Sequence, residues 1–391
     1  MSTEFAHGVR MIISDDGYKR LRVPSTSIIA LVATSSDADD EFYPENQCVL
    51  VNDITTAISK AGTKGTLRNA LEDIDKEVRA TLVVVRVPEG ENEESTIANV
   101  IGTVEEDGTM TGLEALNLAS QRAGVQPRIF ICPKYDEDLN VTLKLGTIAK
   151  KYYGMAYSGL FNKCESISEA LTLRDKVSNE CLMGFYNNGM AYDTELEATS
   201  ERYSVAQIAG LRASLDIEKG WHWSISNHHL EQITGTNKEV TYEPINPVGT
   251  GANELNAQGI SLIVQDQGFK TWGNRTLSSD DSPYYFEVST RSAQVIAITL
   301  ANLMKDLLQD KPMSPQLLEI FRVRGNRLLD DWTRATRILG GRVVLDPQKN
   351  GVDDLMVGRP DWAVEFTPAV PIESPGLTVS ITDEFVMNAV A

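Results

Sequence analysis

Cysteine is scarce in this chain, and what there is follows no pattern. Cys48, Cys132, Cys164 and Cys181 form no C-x-x-C pair and sit in or near apolar segments. That excludes a disulfide framework and points to buried free thiols in a reducing compartment. Positive charge is the second shortage: 36 Lys and Arg face 55 Asp and Glu, a net charge of −19. Wholesale nucleic-acid binding needs a basic footprint and is not expected. Self-repulsion keeps such a chain soluble, so any assembly has to overcome it locally. Long apolar runs are also missing. The longest, near Val295 to Met304, is about half the ~20 residues a membrane span needs. Met1 to Phe5 lacks the charged-then-apolar pattern of a signal peptide, so neither membrane insertion nor export is expected.

A phosphate loop is absent as well. Ala61-Gly62-Thr63-Lys64-Gly65-Thr66 lacks the G-x-x-x-x-G-K-[ST] spacing, and Val248-Gly249-Thr250-Gly251 has no helix start or acidic partner in place. Both read as plain loops, and no cofactor is expected.

What is present is an ordinary globular composition, 42% hydrophobic and 23% charged over 391 residues, enough for two or three domains. Residues 1–22 read as an arm in which Val9, Met11 and Ile13 alternate like a strand with no local hairpin partner. From Pro24 the pattern is α/β. Short apolar strands are expected at Ile28–Val32, Cys48–Val51, Thr81–Val87, Pro127–Pro133, Met155–Leu160 and Cys181–Tyr186. Helices are expected at Thr66–Ala80, Leu113–Ala123, Leu139–Tyr153, Ile167–Val177 and Glu195–Lys219, with an acidic exposed excursion over 90–111. Strands apolar on both faces alternating with helices imply a mostly parallel sheet with helices on both sides, here an outer domain over 23–240. The prolines and glycines of 232–255 mark a boundary. An inner α+β domain then covers 241–367, and 368–391 form a C-terminal arm in which Leu377, Val379 and Ile381 alternate.

Three places could carry chemistry. Trp272-Gly273-Asn274-Arg275-Thr276-Leu277-Ser278-Ser279-Asp280 is a turn rich in residues that bond their own backbone, with Arg275 able to tie carbonyls or a carboxylate together. Trp272, Asn274, Arg275 and Asp280 are expected to hold a structural junction. His222, His228 and His229 invite a metal or hydrolase reading, although their spacing fits no zinc motif. Finally, Lys311 to Arg342 carry a local net charge of +4 in this acidic chain. Leu317, Phe321, Leu328, Trp332 and Leu339 make the buried stripe of a helix capped by Ser314, and Arg322, Arg327, Arg334 and Arg337 fall on the far side. An acidic partner is a natural match for that face.

Taken with Ala209-Gly210-Leu211-Arg212-Ala213, Asp216 and Gly220, then Ser226-Asn227 and Ile233-Thr234-Gly235, then Trp362 to Phe366 with Pro368, the Trp272–Asp280 turn resembles the contractile tail sheath proteins of phages and R-type pyocins. The similarity spans essentially the whole chain and departs at Thr271, where a leucine is more usual, and Ile225, where a proline is. It implies a structural subunit, not an enzyme, forming stacked hexameric rings wound helically around a tail tube. It further implies an extended and a contracted state, terminal arms that add strands to neighbouring copies, and baseplate and tail terminator proteins as partners. The place would be a virion or particle tail assembled in the bacterial cytoplasm. An α/β hydrolase-like or nucleotide-dependent enzyme with its site near the three histidines is the alternative.

Overall fold

The computed structural model describes residues 23–193, 197–279, 281–346 and 348–384. Val9, Met11, Ile13 and Asp280 lie outside the described residues. Six strands come first: β1 (Ile29–Thr34), β2 (Cys48–Val51), β3 (Leu82–Val87), β4 (Ile129–Ile131), β5 (Met155–Ser158) and β6 (Leu182–Phe185). Next β7 (Gly189–Asp193), β8 (Ala198–Arg202) and β9 (Gly235–Thr236) make a small antiparallel sheet in the order β8-β7-β9. β10 (Ile260–Gln265) and β11 (Phe269–Trp272) then return to the first sheet, which runs β11-β10-β6-β5-β4-β1-β3-β2. The inner six strands pair in parallel, and the edge strands β2 and β11 are antiparallel to their neighbours. Every residue of β1 and β3 is buried, so both faces of the sheet's middle are covered.

The covering helices are α1 (Ile54–Lys60), α2 (Leu67–Glu77), α3 (Glu93–Ile101), α4 (Ala119–Arg122), α5 (Leu139–Lys151), α6 (Ile167–Arg174), α7 (Ser204–Glu218) and α8 (Gly251–Ala257). Sequence dictates their starts: the Asp138 carboxylate accepts from Asn140 N and Val141 N at α5, and Ser166 caps α6. α2 and α7 pack closely because Gly210 has no side chain. A Cβ there would stand 3.1 Å from the carbonyl oxygen of Ile74. Arg202, at the end of β8, reaches α2 and donates to Asp73 at 3.1 and 3.2 Å and to Glu72 at 3.2 Å.

Three expected spans change. The excursion over 90–111 contains α3, closed by a capping box between Asn92 and Ser95 and anchored by buried Thr96 and Val100. The Leu113–Ala123 helix is a 3₁₀ turn over Gly112–Leu118 followed by the single turn of α4. The helix drawn from Glu195 starts only at Ser204, because β8 pairs with β7 ahead of it.

A second body follows: α9 (Glu287–Leu307), α10 (Pro315–Arg334), β12 (Ile338–Leu345), α11 (Val352–Met356) and β13 (Trp362–Pro368), with β12 and β13 an antiparallel hairpin. Its core joins Val295, Leu300, Leu303, Phe321, Leu329, Trp332 and Val343 with Trp221, which comes from the loop after α7. Ser314 caps α10 and Pro315 opens it, as expected. Asn326 fastens α10 to β12, accepting from Val343 N at 2.9 Å and donating to its oxygen at 3.0 Å. The first core runs on through β10 and Leu277, past the division expected at 240/241, and the second begins in α9. Pro244 and Pro247 belong to a surface excursion before α8 rather than to an exit from the sheet.

Candidate functional site

The two bodies meet where β11 turns into α9. Trp272 packs edge-on against Tyr242 with ring centres 5.1 Å apart. Gly273 follows with φ 133°, and a Cβ there would lie 2.3 Å from Ser261 Oγ, so the approach requires glycine. The Asn274 carbonyl accepts from Glu287 N at 3.0 Å, fixing the first turn of α9. Thr276 Oγ1 donates to the Tyr284 carbonyl at 2.9 Å, and Leu277 N donates to the Leu182 carbonyl at 2.8 Å. Arg275 uses its whole fork: two 2.8 Å bonds to the Glu373 carboxylate, weaker ones to the carbonyls of Asn256 (3.3 Å) and Ala257 (3.4 Å), and a face on the Tyr285 ring at 4.3 Å. Glu373 belongs to the C-terminal run 369–384, which has no regular secondary structure and leaves Leu377, Val379 and Ile381 exposed.

Beneath this turn lies a charged cluster that sequence reasoning found only in half. Arg212 and Asp216 on α7 face Glu287 and Arg291 on α9, and all four side chains are buried. Arg212 donates to Asp216 at 2.8 Å, to Glu287 at 3.5 Å and to the Trp223 carbonyl at 2.7 Å. Arg291 donates to Asp216, and Tyr157 Oη on β5 donates to Glu287 at 2.7 Å. Burial works against the Arg291 charge, but Asp216, Tyr157 and Glu287 outweigh it and hold its pKa above the ordinary value. Two cations and two anions cancel, so α7 and α9 are locked by a neutral buried set that only both bodies together can complete. The missed signal was Glu287 and Arg291 at i,i+4, opposite the i,i+4 pair Arg212 and Asp216.

The three histidines belong to no metal-holding group of the described residues. His222 lies edge-on to Trp221 with ring centres 5.4 Å apart, and His229 sits against Gly268. Burial lowers the pKa of His222 and of His228. Among the described residues no group of three or more His, Cys, Asp or Glu is placed to hold a metal ion, and no helix is long and apolar enough to cross a membrane.

The loop over 61–66 does cradle an anion, but one of the chain's own. Thr63 N and Lys64 N donate to the Asp37 carboxylate at 3.0 and 2.9 Å, which holds its pKa at about 2. The Val248–Gly251 stretch does start a helix, the seven-residue α8, and Thr250 caps it.

Of the four arginines expected to face a partner, Arg327 and Arg334 are exposed on α10 beside exposed Ile320 and Val323. Arg322 pairs with Glu319 at 2.6 Å and Arg334 with Asp331, so part of the basic face is neutralised within the helix. Arg337 lies past the end of α10, in a cleft between the two bodies. Leu339, expected in the buried stripe, is exposed on β12.

A family model described as phage tail sheath protein central domain matches residues 108–277, and one for the N-terminal region of domain III of the tail sheath protein Gp18 matches residues 26–87. The tail sheath protein of Escherichia phage P2 is 34% identical over 394 residues, covering 99% of this chain and 98% of that one. The chain belongs to the phage tail sheath protein family. The major tail sheath protein of Serratia phage KSP20 is 32% identical over 100% of this chain and 99% of its own. The sheath fold recurs at much lower identity. The anti-feeding prophage helical sheath in the contracted state gives a TM-score of 0.67 at 14% identity, covering 97% of this chain and 100% of that one. The sheath complex of an extracellular contractile injection system (PVC), also contracted, gives 0.68 at 13%, covering 98% and 99%. In this chain the Trp272–Thr276 turn and the Arg212–Asp216–Glu287–Arg291 cluster link the two bodies.

Proposed function

We propose that copies of this chain stack as hexameric rings, wound helically around a tail tube, and that shortening of this sheath drives the tube through a target cell envelope. The subunit does mechanical work and turns over no substrate. The observation that carries the reading is the end-to-end match to the P2 tail sheath protein. The exposed, alternating and unpaired run at Leu377, Val379 and Ile381 supports it, because an edge left open in this way is a hazard unless pairing is its purpose. In this reading residues 1–22 and 368–391 are arms that add strands to neighbouring copies, and residues of the second body face the tube. Strand addition relies on main-chain hydrogen bonds, so it survives rotation of the bodies it joins. Contraction needs no nucleotide if the shorter state buries more apolar surface between copies, worth ~25 cal/mol per Å2.

Partners in this scheme are the tube protein and the baseplate and terminator proteins at the two ends, and assembly takes place in the host cytoplasm. Arg327 and Arg334, with Ile320 and Val323, form the stripe of α10 assigned to the tube, and Arg322 lies further round the helix. Negative-stain microscopy of the purified chain tests the scheme: tubes or stacked rings are expected, and uniformly small particles at all concentrations would overturn it.

A further inference from the structure

The hairpin of β12 and β13 ends in two unlike features. At one end Ile338 pairs with Pro368, and immediately before it Arg337 enters a cleft of about 280 Å3 with Val23, Ile217, Gly220 and Trp221. Ile217 is 58% exposed at the rim. Arg337 is half-buried and its guanidinium has no ion-pair partner among the described residues. Among the described residues the one carboxylate lining the cleft, Asp216, is already taken by Arg212 and Arg291. The cleft thus sets Val23, Ile217 and Trp221 beside the hydroxyls of Ser25, Thr26 and Ser27, and among the described residues it is short of one anion.

At the other end Leu345 pairs with Trp362, and between them the chain makes the short helix α11, which buries none of its residues. Val352 is 77% exposed, Met356 81% and Val357 63%, with Asp353 and Asp354 alongside and no ion-pair partner for either among the described residues. This tip is apolar and acidic, the complement of the cleft. Eight residues of β12 separate the two, roughly 26 Å at ~3.3 Å per residue, so they cannot meet within one copy.

We propose that the α11 tip of one copy docks into the Arg337 cleft of a second copy, with Met356 and Val352 against Ile217 and Val23 and an Asp353 or Asp354 carboxylate on Arg337. The contact is head-to-tail: each copy offers the tip at one end of its hairpin and the cleft at the other. Contacts of that type propagate into rings or helices instead of closing as a dimer. It takes Arg337 away from the tube-facing set and gives it to the contact between copies. It rests on the reading of the chain as a self-assembling sheath subunit.

The test uses the full chain. Arg337→Glu should raise the protein concentration needed for polymer formation about tenfold, the size of a lost charge pair at an interface rim. Asp353→Arg with Asp354→Arg should do the same, and combining the three substitutions should restore most of the loss. Met356→Cys with Ile217→Cys should give a ladder of covalent multimers under mild oxidation of polymer, and either cysteine alone should not. All four native cysteines are buried and give no background. If the parent chain forms no polymer, the sheath reading itself fails. If it polymerises and the reversals leave the threshold unchanged, or the paired cysteines form no ladder, the docking proposal alone is overturned.

Discussion

Single residues in this chain show how far side-chain identity depends on company. Asp37 reads in the sequence as one acid among 55, yet it accepts from the backbone amides of Thr63 and Lys64. Its folded pKa of about 2 lies below the ordinary 3.8. The folded state therefore binds its proton less readily than the unfolded chain, and the stabilisation is fully present above about pH 4 and lost as pH falls through 2. Asp37→Asn should accordingly unfold more easily than the parent at pH 6, and the two denaturation midpoints should converge between pH 4 and pH 2. A gap that stayed constant over that range would mean the asparagine is felt through shape rather than charge. Asp216 is the opposite case, an acid buried between two arginines. Asp216→Ala leaves both cations without that partner and should cost about 3–5 kcal/mol in denaturant unfolding. Adding Arg291→Met should recover part of the loss, because the residues are coupled. Simple additivity of the two would argue against a shared cluster.

At the scale of elements, the turn between β11 and α9 joins three things: the edge of the large sheet, the start of the second body and the C-terminal run. Arg275→Lys loses the bidentate grip on Glu373 and the stack on Tyr285. The pair is partly exposed, at 21% and 36%, so its energetic worth is about 1 kcal/mol or less. The clearer expected outcome is local: amide exchange over 369–384 should quicken while the sheet amides hold their protection. Unchanged exchange there would show that Glu373 is held by other contacts. Much of this scale was legible from pattern alone. Mostly apolar runs such as Leu82–Val87, interrupted only by Arg86, gave the covered parallel strands, and Ser314-Pro315 gave the start of α10. The errors have physical causes. Residues 93–101 looked like a loop because their acids dominate, but those acids sit in the first turn of α3, where they suit the helix dipole. β8 was read as helix because its polar residues carry little strand signal and hairpin pairing with β7 decides it. Half of the charged cluster was visible as a motif on α7. The other half was not, since no local pattern announces that α9 will fold back over α7.

For the whole molecule, charge segregation matters most. If α10 faces a tube as proposed, reversing Arg327 and Arg334 to Glu should release tube from sheath in co-sedimentation and leave contacts between copies intact. Salt should imitate the effect in part, since the Debye length shrinks to ~3 Å at 1 M. Full co-sedimentation of the double reversal would move the tube contact elsewhere. The return of β10 to the sheet bears on something different, the timing of synthesis. β6 finishes at Phe185, but its neighbour β10 begins only at Ile260, so on the ribosome β6 waits as an open edge. At roughly 5–20 residues per second that wait lasts about 4–15 seconds. The charges on α7 wait longer still, for Glu287 and Arg291. A nascent chain therefore cannot complete its large sheet before β10 and β11 are made, or its charged cluster before Arg291.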